Sequence, residues 1–146
     1  MPGWLKILLI VLLIIILLVV GVVGAGVFWF YRNKDALKAK LDTITTEARD
    51  VGKNTDNQGC VDETVSRYKA DPGITSALSY AIFIRVCLDA SRATPGFCDT
   101  VPKQSEFRRT AQWRKEQCQR AGLESDSYCE SLFTPVQQFC DVKSGR

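Results

Sequence analysis

The sequence predicts an all-α protein: an N-terminal single transmembrane helix continuing into a short stalk, followed by a small disulfide-stapled helical domain. Three observations carry this prediction. Residues Ile7 to Tyr31 hold no charged side chain, the later apolar residues recur at helical spacing between proline and glycine breaks, and all six cysteines fall after residue 59. The expected organisation is a tail over residues 1–6, a transmembrane helix over 7–31, a helical stalk over 32–52, a hinge over 53–59 and a Cys-rich helical domain over 60–146.

A helix rises about 1.5 Å per residue, so the run over 7–31 exceeds the roughly 30 Å hydrocarbon thickness of a bilayer. Trp4 stands at one end and Trp29 and Tyr31 at the other, as amphipathic rings do where lipid meets headgroup. A cleaved signal peptide is the competing reading, since Gly24-Ala25-Gly26 offers small residues to a peptidase. Against it, the apolar run is about twice the usual signal core, and its aromatic belt would begin the mature protein. The expectation is a retained signal-anchor in the lipid bilayer. Gly21 and Ala25 form a small-xxx-small pair that lets two such helices approach closely.

In the stalk, Leu37, Leu41, Ile44, Ala48 and Val51 fall at spacings of 4-3-4-3, the seam of a coiled coil. With Gly21 and Ala25 they suggest a parallel homodimer. The competing reading is that the seam is too short to associate and packs on its own domain. Gly52 and the polar residues 53–59 are expected to end the stalk and form the hinge.

Two rules disagree about the side of the membrane. Arg32, Lys34, Lys38 and Lys40 on the C-terminal flank point the domain into the cytoplasm. An even number of cysteines in a small domain points it to the oxidising, extracytoplasmic side. Zinc sites take ligands in close pairs, whereas the tightest spacing here is Cys-x10-Cys and the chain has no histidine. Redox catalysis lacks a Cys-x-x-Cys pair. Disulfides are therefore expected, in an extracytoplasmic domain; the alternative is a cytoplasmic-facing adaptor or redox or metal sensor with reduced cysteines.

Helices are expected from Cys60 to Ala70, then through "ITSALSYAIFIRVCLDASRA", which is apolar around most of its circumference and so enclosed by others. Between them, Asp71-Pro72-Gly73 reads as a stop followed by an aspartate cap and a proline first turn. A third helix is expected from Pro102 to Ala121, with Gly122 as a left-handed C-cap. Ser127-x-x-Glu130 and Thr134-Pro135-Val136-Gln137 read as two capping boxes, so the last segment is two short helices meeting at Thr134.

Eleven residues turn a helix almost through whole turns, so Cys129 and Cys140 share a face with Leu132, Phe133, Val136 and Phe139. They would lie about 16 Å apart on a straight helix, too far for a bridge to each other. Cys118 and Cys129 flank one turn and suit each other; Cys140 then falls near Cys98, and Cys60 with Cys87 closes the first hairpin. Six cysteines permit many other pairings.

No cofactor is implied, and enzymatic function is not expected. Without histidine there is no Ser-His-Asp or Cys-His arrangement, general-base work would fall to carboxylates or lysine, and the enzyme alternative is a hydrolase using carboxylates. From Gly59 onward 12 basic residues face 11 acidic ones, so bulk attraction to nucleic acid is not indicated. The expected work is binding an unidentified protein partner near the membrane. On a helical wheel Phe107, Ala111, Cys118 and Ala121 form the inner stripe of the third helix, placing Arg109, Trp113, Glu116 and Arg120 outside. A tryptophan between arginines has the composition of an interface hot spot or a headgroup contact; the alternative is packing against a neighbouring helix. Arg85 and Arg114 fall on apolar faces, where pairing with an acid is expected.

Overall fold

The structure, a computed structural model, describes residues 3–145. Met1 and Pro2 of the expected tail and Arg146 of the expected domain lie outside the described residues. Among the described residues six helices follow one another: α1 (Gly3–Asn54), α2 (Asn57–Ala70), α3 (Ile74–Ala90), α4 (Phe107–Arg120), α5 (Cys129–Leu132) and α6 (Thr134–Ser144). No strand occurs among the described residues; Asp56 and Arg92 form an isolated bridge. Two compact units divide the chain after Leu41.

The first unit is the apolar part of α1 and the residues after it. Among the described residues one helix is long and apolar enough to cross a membrane, with a mean hydropathy of 3.6 in its most apolar window and none of that window buried. Trp4, Trp29 and Tyr31 are exposed, and nothing would meet a side chain added at Gly21. Lys34 Nζ lies 5.9 Å from the centre of the Tyr31 ring.

The second unit begins at Asp42 with the last turns of α1. Ala48 is fully buried and Ile44 and Val51 pack on the core. Three of the five seam positions are thus covered by the domain's own helices. Gly52 ends no helix: a Cβ there would lie 2.6 Å from the Cys87 carbonyl oxygen and 2.8 Å from Ala90 Cβ, so glycine lets α1 touch the backbone of α3.

Where a hinge is expected, only Thr55 and Asp56 separate two helices. Asp56 caps α2 by accepting from Gly59 N. Asn57 N donates to Arg92 O at 3.0 Å, Arg92 N to Thr55 O at 3.1 Å and Thr94 N to Asn57 Oδ1 at 3.0 Å. The Asn57 side chain also donates to Ser91 Oγ at 2.8 Å. Residues read as a hinge are a clamp, because the Thr55 and Asn57 backbones pair with Arg92 and the Asn57 amide with Ser91 and Thr94 just past α3.

Helix α3 is the hub, packing against α2, α5 and α6. Phe83, Ile84, Cys87 and Leu88 are buried, while Ile74, Leu78 and Ile82 form an exposed stripe, so the enclosure expected of this helix is partial. Across α2 the Arg67 guanidinium lies 4.8 Å from the centre of the Phe83 ring and pairs with both Glu47, at 2.6 Å, and Glu63, at 2.7 Å. Desolvation works against the Arg67 charge, but the two carboxylates prevail and raise its pKa.

All six cysteines form disulfides in the expected pairs, Cys60–Cys87, Cys98–Cys140 and Cys118–Cys129. The caps differ more. Asp71 is the C-cap of α2 and accepts from Ser76 Oγ, while Gly73, not Asp71, precedes α3. Gly122 takes the left-handed conformation, φ 65°, as expected. Neither capping box forms. Helix α5 starts at Cys129 without a side-chain cap, and Tyr128 N before it donates to Asp126 Oδ1. Thr134 begins α6 and Gln137 is drawn into the core.

Candidate functional site

The third-helix patch is the place where sequence and structure differ most. Phe107, expected inside, is 81% exposed at the first turn of α4, and Trp113, expected outside, is only 8% exposed. The buried face carries Thr110, Trp113 and Cys118, about a sixth of a turn from the expected stripe at roughly 100° per residue. The reason is that Cys118 sits at the edge of the contact. Its bridge to Cys129 fixes the end of α4 without centring the face, and the centre is filled by Trp113 against Phe133 and by Thr110 and Arg114 against Gln137.

Gln137 is fully buried. Its Nε2 donates to the Pro102 carbonyl at 2.9 Å and to Thr110 Oγ1 at 2.7 Å, and its Oε1 accepts from Arg114 Nη2 at 2.7 Å. Arg114 therefore meets a glutamine amide where an acid is expected, and its buried Nε has no hydrogen-bond partner. Arg85, likewise expected to pair with an acid, is exposed and donates to Gln138 Oε1 at 3.1 Å.

Trp113 still belongs to a surface feature, because its ring separates two concavities. On one side a shallow hollow holds Arg109, Gln112, Glu116 and Thr100. Arg109 there is already paired, 2.6 Å from Glu106 Oε1, and that bond holds the Glu106 carboxyl below its usual range. On the other side lies a deeper cavity of about 300 Å3. Val61, Phe97, Val101, Phe133, Val136 and the Trp113 ring contribute its apolar lining; Gln58, Thr94, Gln117 and Arg120 contribute the polar one.

The loop over residues 91–106 forms one wall because it is held at both ends. Thr94 Oγ1 accepts from Gln58 N at 3.2 Å, Phe97 packs edge to face on Phe139, and Cys98 is bridged to Cys140. Arg120 carries no ion pair and no side-chain hydrogen bond among the described residues. The structure thus brings Trp113 and Arg120 to one cavity and leaves Arg109 in the other.

No protein-family model, curated protein or solved structure matches this chain. Its site must be read from its own geometry. Among the described residues, no group of three or more His, Cys, Asp or Glu is placed to hold a metal ion. A further concavity, between the end of α1 and α2, is a wide groove lined by Asp42, Glu47, Asp50 and Glu63 around Arg67. Its Glu47, Glu63 and Arg67 side chains are occupied with one another.

The missed features have different origins. Gln137 carries no pattern that distinguishes a buried amide from a cap, so sequence reasoning assigns it to a capping box. Residues 94–101 fall between the expected helices and form a wall, and the expected Cys98–Cys140 pairing is the signal in the sequence that this stretch is fixed.

Proposed function

We propose that the chain is a membrane-anchored binding module, whose residues 7–31 span the bilayer and whose disulfide-stabilised helical domain stands on the extracytoplasmic side. The observation that carries this reading is the pairing of all six cysteines, in a chain with a membrane-length helix. Bridges of this density persist where cellular reductants do not reach. The domain is small enough to need them, each stabilising it by about 2–4 kcal/mol.

The binding face of this module is the outer part of α4, where Arg109 and Arg120 stand exposed on either side of the largely buried Trp113, and its partner is a protein held near the membrane. Self-association draws on Gly21 and Ala25 in the membrane helix and on Leu37, the seam residue that stays exposed. A cysteine replacing Leu37 gives a covalent dimer on oxidation if the helices pair; its absence removes the dimer and leaves the rest intact.

A second reading is favoured by the basic flank Arg32, Lys34, Lys38 and Lys40, which by the positive-inside rule belongs in the cytoplasm. In that orientation the domain is an adaptor or a redox or metal sensor with reduced cysteines. Alkylation of intact cells without reductant separates the two: the extracytoplasmic reading expects no modified cysteine, and six modified thiols overturn it.

A further inference from the structure

We infer that the cavity beside Trp113 is a binding site for a small carboxylic acid with an apolar body, one aromatic ring or a branched aliphatic chain of similar bulk. This rests on reading the domain as a binding module, but not on which side of the membrane it faces.

The size comes first. About 300 Å3 is at the lower end of cavities that hold organic ligands. The chemistry follows from the lining. The half-buried Val61, Phe97 and Val101 and the edges of the buried Trp113, Phe133 and Val136 supply its apolar surface, and Trp113 and Phe133 are held at 6.1 Å and 84° to each other, so the apolar part is formed before any ligand arrives.

The charge of the ligand is fixed by what stands at the mouth. Arg120 is the one charged residue among the described residues lining the cavity, and no acid lines it. Gln58 Nε2 gives one N–H to Asp62 Oδ1 at 2.9 Å, and the Arg120 guanidinium is the one cationic donor beside the neutral Gln58, Gln117, Thr94 and Thr100 groups that line the cavity. One planar guanidinium fork matches one carboxylate in geometry and in charge. A phosphate monoester would bring nearly two charges to a single cation. The neighbouring hollow offers no such site, because Arg109 is paired with Glu106 and shares its hollow with Glu116.

Phenylacetate and its uncharged isostere phenylacetamide test the inference on the full-length chain in nanodiscs of zwitterionic lipid, by saturation-transfer NMR titration. A chain whose Trp4 and Trp29 are replaced by Phe leaves Trp113 as the sole tryptophan, and its fluorescence reports the same cavity. The acid should bind saturably, shift Trp113 emission and bind about tenfold or more tightly than the amide. Arg120→Gln should erase that preference without moving the melting temperature, since Arg120 supports no other group. Gln117→Trp, which plugs the mouth, should abolish binding of both probes, and Arg109→Gln should change neither. No saturable binding of phenylacetate, equal binding of acid and amide, or an unchanged preference in Arg120→Gln overturns the inference. These outcomes leave the membrane orientation untouched, and alkylation of six thiols in cells would leave the ligand result untouched in turn.

Discussion

The rings of Trp113 and Phe133 meet edge to face, with centroids 6.1 Å apart and planes at 84°. This contact joins α4 to the junction of α5 and α6, and it makes Trp113 a wedge between helices whose outer edge alone touches the cavity. Trp113→Ala removes the wedge and leaves a void that close-packed neighbours fill only in part. The expected cost is about 3–5 kcal/mol, read as a lower urea midpoint with an unchanged slope. Trp113→Phe should retain most of the stability. A Trp113→Ala domain that melts like the parent would show that the ring is a surface group after all.

That contact also shows what a wheel can and cannot reveal. The helical class, the membrane-length helix, the three disulfide pairs, the left-handed Gly122 and the break before Thr134 are legible because each depends on local pattern or on separation along the chain. The face that α4 buries is not local. It depends on Phe133 and Gln137, which arrive from another helix, and the amphipathic stripe of Phe107, Ala111, Cys118 and Ala121 is outweighed by a single large ring. Similarly, the polar composition of residues 53–59 reads as a hinge, because nothing nearby reveals that Asn57 and Thr55 meet Ser91 and Arg92. The cavity beside Arg120 needs the fold to exist at all.

Gln137 links three elements through one amide, so its replacement tests the buried network. In Gln137→Leu the Pro102 carbonyl and the Thr110 hydroxyl lose a donor, and Arg114 loses its acceptor. A buried polar group left without a partner costs about 1–3 kcal/mol, and the variant should fall by at least that much in chemical denaturation. Replacing Arg114 by Leu in the same chain should recover part of the loss, because the stranded guanidinium goes with it. Additive losses in the double variant would show that the two side chains are not coupled.

Gly52 predicts a steric effect of opposite sign to helix propensity. Alanine ordinarily gains up to about 1 kcal/mol over glycine inside a helix. Here the new Cβ would press on the Cys87 carbonyl and Ala90 Cβ, neither of which is the end of a flexible side chain. Overpacking of this kind costs about 1–3 kcal/mol, so Gly52→Ala should lower the melting temperature. A rise in melting temperature would mean that the α1–α3 approach relaxes freely.

Tyr68 makes stability depend on pH at the alkaline end. Burial, and then the hydrogen bond from its hydroxyl to Asp126 Oδ1 at 2.8 Å, push its pKa up to about 12. An unfolded tyrosine titrates near ~10, so the unfolded chain releases this proton first. The stabilisation is therefore complete below about pH 10 and is lost as pH rises through about 12. Tyr68→Phe should be less stable at neutral pH by about 1.5–3 kcal/mol, the range for hydrogen bonds to charged groups, and should decline less steeply above pH 10. Parallel declines in the two proteins would show that Tyr68 does not set the slope.

The three bridges differ in the length of chain they close, and their removal should follow that order. Cys118–Cys129 spans 11 residues, Cys60–Cys87 spans 27 and Cys98–Cys140 spans 42. Loop-closure entropy in the unfolded chain then gives about 3 kcal/mol for the shortest and about 4 kcal/mol for the longest. Paired Cys→Ala replacements, unfolded in urea at neutral pH, should rank accordingly. The bridge from Cys98 to Cys140 has a second consequence, because it pins the loop that walls the Trp113 cavity. Cys98→Ala/Cys140→Ala should lose phenylacetate binding while the domain is still folded. A variant that keeps its ligand after losing this bridge would show that Phe97 and Thr94 hold the wall unaided.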